Sequence, residues 1–295
     1  MSGRGEEKKE DRSSWRHIDV DQIEMGDIIG GGGVGVIYRG VFEKQDVAIK
    51  TFFDSRRLDD KLRKDFLDEL LVMSQISHSN IVNLIGACTT PSLFFVMELC
   101  ETSLFQLLHV DKVNFTVKED FQVCIDVGCA MEYLHSLSPA IIHRDLKSHN
   151  ILRSFSGVYK LCDFGQVKVK NTMAGTPIYM APELFLNKPF NKSADVYSFG
   201  MLLWEIFNKE IPFYMVDVAD IRSRVIAGER PRLKHYSMPA GVSKLISACW
   251  SEQGEDRPSF SDLVDDLISI NDSLQQSRFV DEVKCSGDAL DGLLK

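Results

Sequence analysis

Hydrophobic positions alternate in the first part of this chain and recur at helical spacing later. From Ile23 to Phe53 the apolar residues follow a period of two, which predicts strands. One strand ends at Ile28-Ile29 and glycines follow. A second covers Val34–Val41 and a third Asp46–Phe53. Leu62, Phe66, Leu70 and Met73 then recur three and four apart, as on one face of a helix. Ile81–Ala87 and Leu93–Leu99 predict two further strands. Beyond Leu104 the pattern turns helical. Phe121, Cys124, Ile125, Gly128 and Met131 share one helical face, and Ala194–Phe207 and Ser259–Ile270 are strong helices. Short strand-like pieces at Ile151-Leu152 and Tyr159–Cys162 interrupt them. A β-rich lobe with one main helix followed by a larger helical lobe is an α+β, bilobal layout. The expected boundaries are a disordered leader at 1–14, a domain at 15–271 and a weakly periodic tail at 272–295. Within the domain the first lobe covers 15–98, a hinge 98–102 and the second lobe 103–271.

Composition narrows the classes. With 44% hydrophobic and 26% charged residues the chain has a globular balance, which excludes wholesale disorder. A net charge of -9 argues against a general nucleic-acid binder. The seven cysteines are odd in number and contain no C-x-x-C pair, so a disulfide scaffold or zinc cluster is not expected. Reduced thiols fit a cytoplasmic protein, with the nucleus as the alternative. The opening residues carry no apolar stretch, so no signal peptide is expected, and Ser2 stands where myristoylation requires glycine. The longest apolar runs are far short of the roughly 18 residues of a membrane span.

Candidate chemistry begins at Gly30-Gly31-Gly32-Gly33-Val34-Gly35, which contains G-x-G-x-x-G. A dinucleotide fingerprint would open a helix at this point. Here a strand follows, so the loop is expected to close a hairpin whose backbone N–H groups face phosphates. Next comes Val47-Ala48-Ile49-Lys50, where Ala48 and Lys50 share a strand face. A small residue there can floor a base while Lys50 reaches phosphate oxygens. Glu69, on the following helix, can hold Lys50. Taken singly, each of these residues is also compatible with an ordinary solvated side chain.

The stretch His143-Arg144-Asp145-Leu146-Lys147-Ser148-His149-Asn150 is followed by Asp163-Phe164-Gly165. Gly175-Thr176-Pro177 and Ala181-Pro182-Glu183 come next. In this order, the glycine loop, V-A-I-K, H-R-D-L-K-x-x-N, D-F-G and A-P-E resemble a eukaryotic protein kinase domain from about Ile23 to Leu267. The resemblance implies roles. Asp145 would accept or orient the acceptor hydroxyl's proton, and Lys147 would stabilise the transferring phosphoryl group. Asn150 and Asp163 would hold Mg²⁺, with Mn²⁺ as an alternative. Lys50, fixed by Glu69, would hold the α- and β-phosphates of ATP. Ile29, Gly30, Gly32 and Gly35 would cover the nucleotide. Ile37, Ala48 and Leu152 would enclose the adenine, Met97 would back the pocket, and Glu98 and Cys100 would bond the base edge. Asp195 would anchor the catalytic-loop backbone, Arg257 would pair with Glu183, and Met73, Leu84, His143 and Phe164 would stack as an apolar spine. The loop-tip aromatic common in kinases is Val34 here.

Lys147 and Gly175-Thr176-Pro177 resemble serine/threonine kinases, whereas Cys249-Trp250 and Arg257-Pro258-Ser259-Phe260 look like tyrosine kinases. That mixture resembles the tyrosine kinase-like group, which includes Raf-like and mixed-lineage kinases. It implies Ser/Thr phosphorylation of protein substrates in signalling. Dual specificity or tyrosine specificity, and a pseudokinase scaffold, are the alternatives. Thr172 is the one hydroxyl residue between Gly165 and Thr176. Its phosphorylation, by an upstream kinase or by the protein itself, is expected to engage Arg144 and Lys168 and switch activity on. Oligomeric state is not legible.

Overall fold

The computed structural model describes residues 15–32, 35–52, 60–167, 175–233 and 238–293. The chain divides into two compact units, Met1–Ser77 with Asn83–Leu99, and His78–Val82 with Cys100–Lys295.

The first unit holds a five-stranded antiparallel sheet and one helix. Strands β1 (Ile23–Gly32), β2 (Gly35–Phe42) and β3 (Gln45–Phe52) form a meander. Helix α1 (Asp60–Met73) follows, then β4 (Leu84–Cys88) and β5 (Phe94–Glu98), in sheet order β1-β2-β3-β5-β4. Strand β1 does not stop at Ile29. It pairs through the glycines, with Gly30 opposite Ile37 and Gly32 opposite Gly35. The alternation rule lost the strand there because glycine has no side chain to alternate. Gly35 is required by close approach, since a Cβ on it would stand 2.0 Å from the Thr51 carbonyl oxygen.

The two faces of this sheet have different tasks. One packs Phe42, Val47, Ile49, Phe94 and Val96 with Ile18 of the preceding segment into a core. That segment is tied on by mutual main-chain bonds between Ile18, Ala87 and Arg16. The other face carries Gly30, Ile37, Ala48, Lys50, Phe95 and Met97, as the pairings Gly30–Ile37, Ile37–Lys50, Lys50–Phe95 and Ala48–Met97 require. Helix α1 buries Phe66, Glu69, Leu70, Val72 and Met73.

The second unit is mostly helical. It has a small sheet of β6 (Thr102–Ser103), β7 (Ile151–Arg153) and β8 (Tyr159–Leu161). A π-helical turn covers Gln106–Val110. The helices are α2 (Val117–Ser136), α3 (Pro182–Phe185), α4 (Ser193–Asn208), α5 (Val218–Ile226), α6 (Val242–Cys249) and α7 (Phe260–Leu293). Thr116 starts α2 with a reciprocal capping box to Glu119. Helix α4 is buried on every side from Ala194 to Phe207, as a helix apolar all round must be. Phe199 meets Phe260 of α7 edge-on, and Phe207 meets Phe121 of α2. Helix α7 continues to Leu293, through the stretch expected as a weakly periodic tail at 272–295. Its few apolar residues there give too weak a period to mark it. The leader at 1–14 lies outside the described residues.

Candidate active site

In the first unit the site is built around one lysine. Lys50 Nζ donates to Glu69 Oε1 at 2.7 Å, with the two side chains 16% and 5% exposed. The pair sits on an aromatic floor. Phe66 and Phe95 stack at 4.5 Å and Phe52 meets both edge-on. The ammonium lies 5.5 Å above the Phe52 ring. Ala48 and Met97, paired in the sheet, are buried on the same face, and Ile37 lies opposite Lys50. Ile29 is half exposed. At Glu98 the N–H donates to the Asn83 carbonyl at 3.0 Å, so that donor is spent within the protein. Its carboxylate accepts the Asn83 N–H at 2.6 Å.

In the second unit a polar triangle occupies the catalytic segment. Lys147 Nζ donates to Asp145 Oδ2 at 2.7 Å and to Thr176 Oγ1 at 2.7 Å. The Thr176 hydroxyl donates to Asp145 Oδ1 at 2.8 Å. Asn150 Nδ2 adds bonds to the Asp145 carbonyl and to Oδ2, at 2.8 and 3.1 Å. Oδ2 thus receives two donors and Oδ1 one. A carboxylate offers about four acceptor sites, so Oδ1 has room for another hydroxyl.

The backbone beneath this triangle is held by buried groups. Asp195, fully buried in the first turn of α4, accepts the His143 and Arg144 N–H groups at 2.9 and 2.8 Å and His135 Nε2 at 2.9 Å. That carboxylate also suits a helix N-terminus. The loop needs the support, because Arg144 has φ 71°. His143 Nδ1 accepts the Asp145 N–H at 3.3 Å, so its Nε2 carries the proton toward the Cys162 carbonyl at 3.1 Å. Gly175 has φ 121°, and a Cβ there would stand 2.7 Å from the Arg144 carbonyl oxygen. Glycine lets the Thr176 segment come that close.

Asp163 is exposed, also at positive φ (66°), and its Oδ1 accepts the Gly165 N–H at 3.4 Å. The N–H of Cys162, just before it, donates to the Asn150 carbonyl at 2.9 Å, which ties those two neighbourhoods together. Leu152 lies half buried on β7. Arg144 donates to the Gln166 carbonyl at 3.3 Å and covers the Phe190 ring at 4.6 Å. Burial pulls its guanidinium below the ordinary arginine value, against the pull of Asp195. Gly33, Val34, Lys168 and Thr172 lie outside the described residues. Farther off, Arg257 and Glu183 form a bidentate pair at 2.7 and 3.0 Å. Its guanidinium also donates to the Ser251 and Ser193 carbonyls.

The family model for protein tyrosine and serine/threonine kinases matches residues 23–267. The chain belongs to that kinase family. Serine/threonine-protein kinase STY46 of Arabidopsis thaliana is 36% identical over 262 residues, covering 86% of this chain and 45% of the relative. Dual specificity protein kinase shkD of Dictyostelium discoideum is 36% identical over 266 residues, covering 86% and 35%. A probable serine/threonine-protein kinase of Arabidopsis thaliana, SIS8, is 35% identical over 257 residues, covering 84% and 25%. The chain spans less than half the length of each of these curated relatives. The expected kinase fold stands, with an antiparallel sheet in the N-lobe and a helical C-lobe.

A kinase domain implies ATP and a divalent metal, and the residues fit both. A Cβ on Gly30 or Gly31 would meet nothing closer than 3.5 Å among the described residues, so packing against those residues does not require glycine there. Close approach by a phosphate would. Asn150 spends its Nδ2 on Asp145, so its hard amide oxygen is the atom that could hold a cation. Among the described residues no cluster of three or more His, Cys, Asp or Glu could cage a metal. One carboxylate and one amide, completed by phosphates and water, is how Mg²⁺ is usually held. No helix among the described residues is long and apolar enough to cross a membrane.

Sequence reasoning missed a second buried acid in this kinase. Glu205, fully buried in α4, accepts from His109, Ser148 and Tyr179. Its signal was a single carboxylate inside the apolar run Leu203-Trp204-Glu205-Ile206. Its partners are 96, 57 and 26 residues away in the chain, so the pattern gave no means of pairing them.

Proposed function

We propose that the domain is a serine/threonine protein kinase, transferring the γ-phosphoryl group of Mg-ATP to Ser and Thr hydroxyls of protein substrates in signalling. The observation that carries the reading is Thr176, whose hydroxyl bridges Lys147 and Asp145 at 2.7 and 2.8 Å. An aliphatic acceptor hydroxyl would approach Asp145 Oδ1, the oxygen with room for one more donor. Asp145 then orients that hydroxyl and takes up its proton as transfer proceeds. Lys147 carries the positive charge at the same point and offsets charge on the moving phosphoryl group. Thr176 and Asn150 hold the carboxylate's two oxygens, so little reorganisation is needed when the substrate arrives.

In the N-lobe, Lys50 would take the α- and β-phosphates while Glu69 fixes its direction. Gly30, Gly32 and Gly35, with Ile29, would cover the nucleotide. Ile37, Ala48 and Leu152 would enclose the adenine, Met97 would close the back, and the Glu98 and Cys100 main chain would bond its edge. Asn150 and Asp163 would hold the divalent ion, taken here as Mg²⁺. When bound, that ion neutralises phosphate charge. Phosphorylation of Thr172, received near Arg144 and Lys168, would raise activity. The dual-specificity name of the shkD relative keeps tyrosine acceptance as a second reading.

The test is incubation with Mg-ATP and an equimolar mixture of Ser, Thr and Tyr peptides, followed by phosphoamino-acid analysis. Phosphoserine and phosphothreonine are expected. Phosphotyrosine alone would overturn the acceptor assignment. Nucleotide binding without any transfer would turn the reading to a pseudokinase scaffold.

A further inference from the structure

The C-lobe holds a cavity of about 240 Å³ that the chemistry above does not use. Three stretches build it. Pro182 and Leu186 come from the two ends of α3, with Pro189 and Phe190 from the segment that leads to α4. Ile226 ends α5. Glu252 and Glu255 come from the turn between α6 and α7. Glycine at 254 lets that turn close on the start of α4, because a Cβ there would stand 2.5 Å from Ser193 Oγ.

The cavity combines an apolar wall with an acidic rim. Glu183, Glu252 and Glu255 line it against a single ammonium, that of Lys188. Glu183 is engaged by its bidentate pair with Arg257. Glu252 and Glu255 are exposed and form no ion pair with a described residue. The space is below the roughly 300–1,000 Å³ of sites that enclose a whole small molecule, so it suits one long side chain. An arginine matches both parts of the lining. Its stem packs on apolar surface, and its planar guanidinium takes carboxylates in pairs and stacks on aromatic rings.

Phe190 ties the cavity to the reaction. Its ring forms part of the wall, and the Arg144 guanidinium lies 4.6 Å from the ring centre. Arg144 immediately precedes Asp145. The cavity is thus one ring and one side chain away from the candidate base, which favours a protein substrate as the source of the arginine.

We propose that this cavity is a docking subsite for an arginine of the protein substrate, set apart from the acceptor residue and held by Glu252 and Glu255 beside the Phe190 wall. The substrate's identity as a phosphate acceptor rests on the kinase reading above; affinity for an arginine peptide does not.

The experiment uses the whole chain and long serine peptides in which one arginine is moved along the sequence. Each has a citrulline copy, of the same shape without the charge, and a leucine copy. Wild type is compared with three variants. Glu252→Lys/Glu255→Lys reverses the rim. Leu186→Trp fills the cavity from a half-exposed position without changing charge. Asp265→Lys alters an exposed carboxylate outside the lining. Peptide KM, ATP KM and kcat are measured, and fluorescence anisotropy follows alanine-for-serine copies, whose binding needs no transfer. One arginine position is expected to lower the peptide KM about tenfold relative to citrulline. Both cavity variants should abolish that advantage in KM and in anisotropy, with kcat and the ATP KM within about twofold, and Asp265→Lys should keep it. The same loss in Asp265→Lys, or no arginine position better than its citrulline copy, overturns the subsite. A leucine copy that binds as well as arginine and ignores the charge reversal makes the occupant apolar and overturns it too. Arginine-dependent binding without a KM advantage places the arginine on a partner that is not a substrate, and overturns the substrate assignment. Arginine-dependent binding to a wild type that transfers no phosphate to any peptide overturns the kinase reading and leaves the arginine site standing.

Discussion

The two lobes hold their working groups in different ways. In the N-lobe, Lys50 is aimed by a charged contact with Glu69, which comes from the buried face of α1. In the C-lobe the segments that carry the candidate groups are held by buried acids that each serve several donors at once. Asp195 serves three and Glu205 three, both from the buried helix α4. A paired contact can be broken or rebuilt as its helix moves, whereas a carboxylate filled by donors from several segments fixes them jointly. The direction of Lys50 thus depends on the placement of α1, whereas the segment that carries Asp145 is held jointly with its neighbours through α4.

The sharpest way to break this contrast is Asp195→Ala. It strands three buried donors at about 1–3 kcal/mol apiece, so a loss of about 3–5 kcal/mol is expected after partial relaxation. Urea unfolding would measure it, together with loss of transfer from the released loop. A cost under 1 kcal/mol would show that α4 does not anchor the segment. The N-lobe pair should behave otherwise. Lys50→Met leaves Glu69 buried beside a neutral side chain, an expected loss of about 1–3 kcal/mol, together with weaker ATP binding. Adding Glu69→Leu should recover most of the stability and none of the activity, since apolar residues can replace a buried ion pair. Recovery of activity in the double variant would remove Lys50 from the nucleotide site.

Arg257→Lys sharpens the account of the C-lobe. A lysine cannot keep both the bidentate bond to Glu183 and the bonds to the Ser251 and Ser193 carbonyls, so a loss of about 2 kcal/mol is expected. An unchanged melting temperature would show that the pair is idle.

The smallest expected effect concerns His78. Its ring stacks on Tyr133 at 5.0 Å, and its Nδ1 accepts the Asn80 N–H at 3.1 Å. Burial first, then Lys160, lower its pKa below 6.5. The fold therefore disfavours the cation. Its contribution to stability is present above pH 6.5 and is lost as pH falls through the lowered folded value. An NMR titration should place the imidazole midpoint below 6.5; a midpoint at or above it would contradict the environment described.

Much of this site was legible because its chemistry is written in short stretches. His143 to Asn150 carries Asp145, Lys147 and Asn150 within eight residues, and the hairpin's strand period distinguished the glycine loop from a helix opening. Lys50 with Glu69, a pairing read from the strand and the helix that follows it, and Arg257 with Glu183, implied by the kinase resemblance, both form close ion pairs. What was illegible depends on long-range closure. Glu205 and His135 look like isolated polar residues in helical runs, and only folding brings them to Ser148, Tyr179 and Asp195. Local pattern also failed where side chains carry little signal, as at the β1 glycines and along the end of α7.

The central claim is that the Asp145–Lys147–Thr176 triangle carries out transfer to an aliphatic hydroxyl. Its most direct test is single-turnover transfer from Mg-ATP to a serine peptide by wild type and Asp145→Asn, with nucleotide affinity and melting temperature measured on both. The amide keeps the shape and cannot take the proton, so the rate should fall about 10²–10⁴-fold with nucleotide affinity and fold retained. A folded, nucleotide-binding Asp145→Asn protein that transfers phosphate at the wild-type rate would contradict the account.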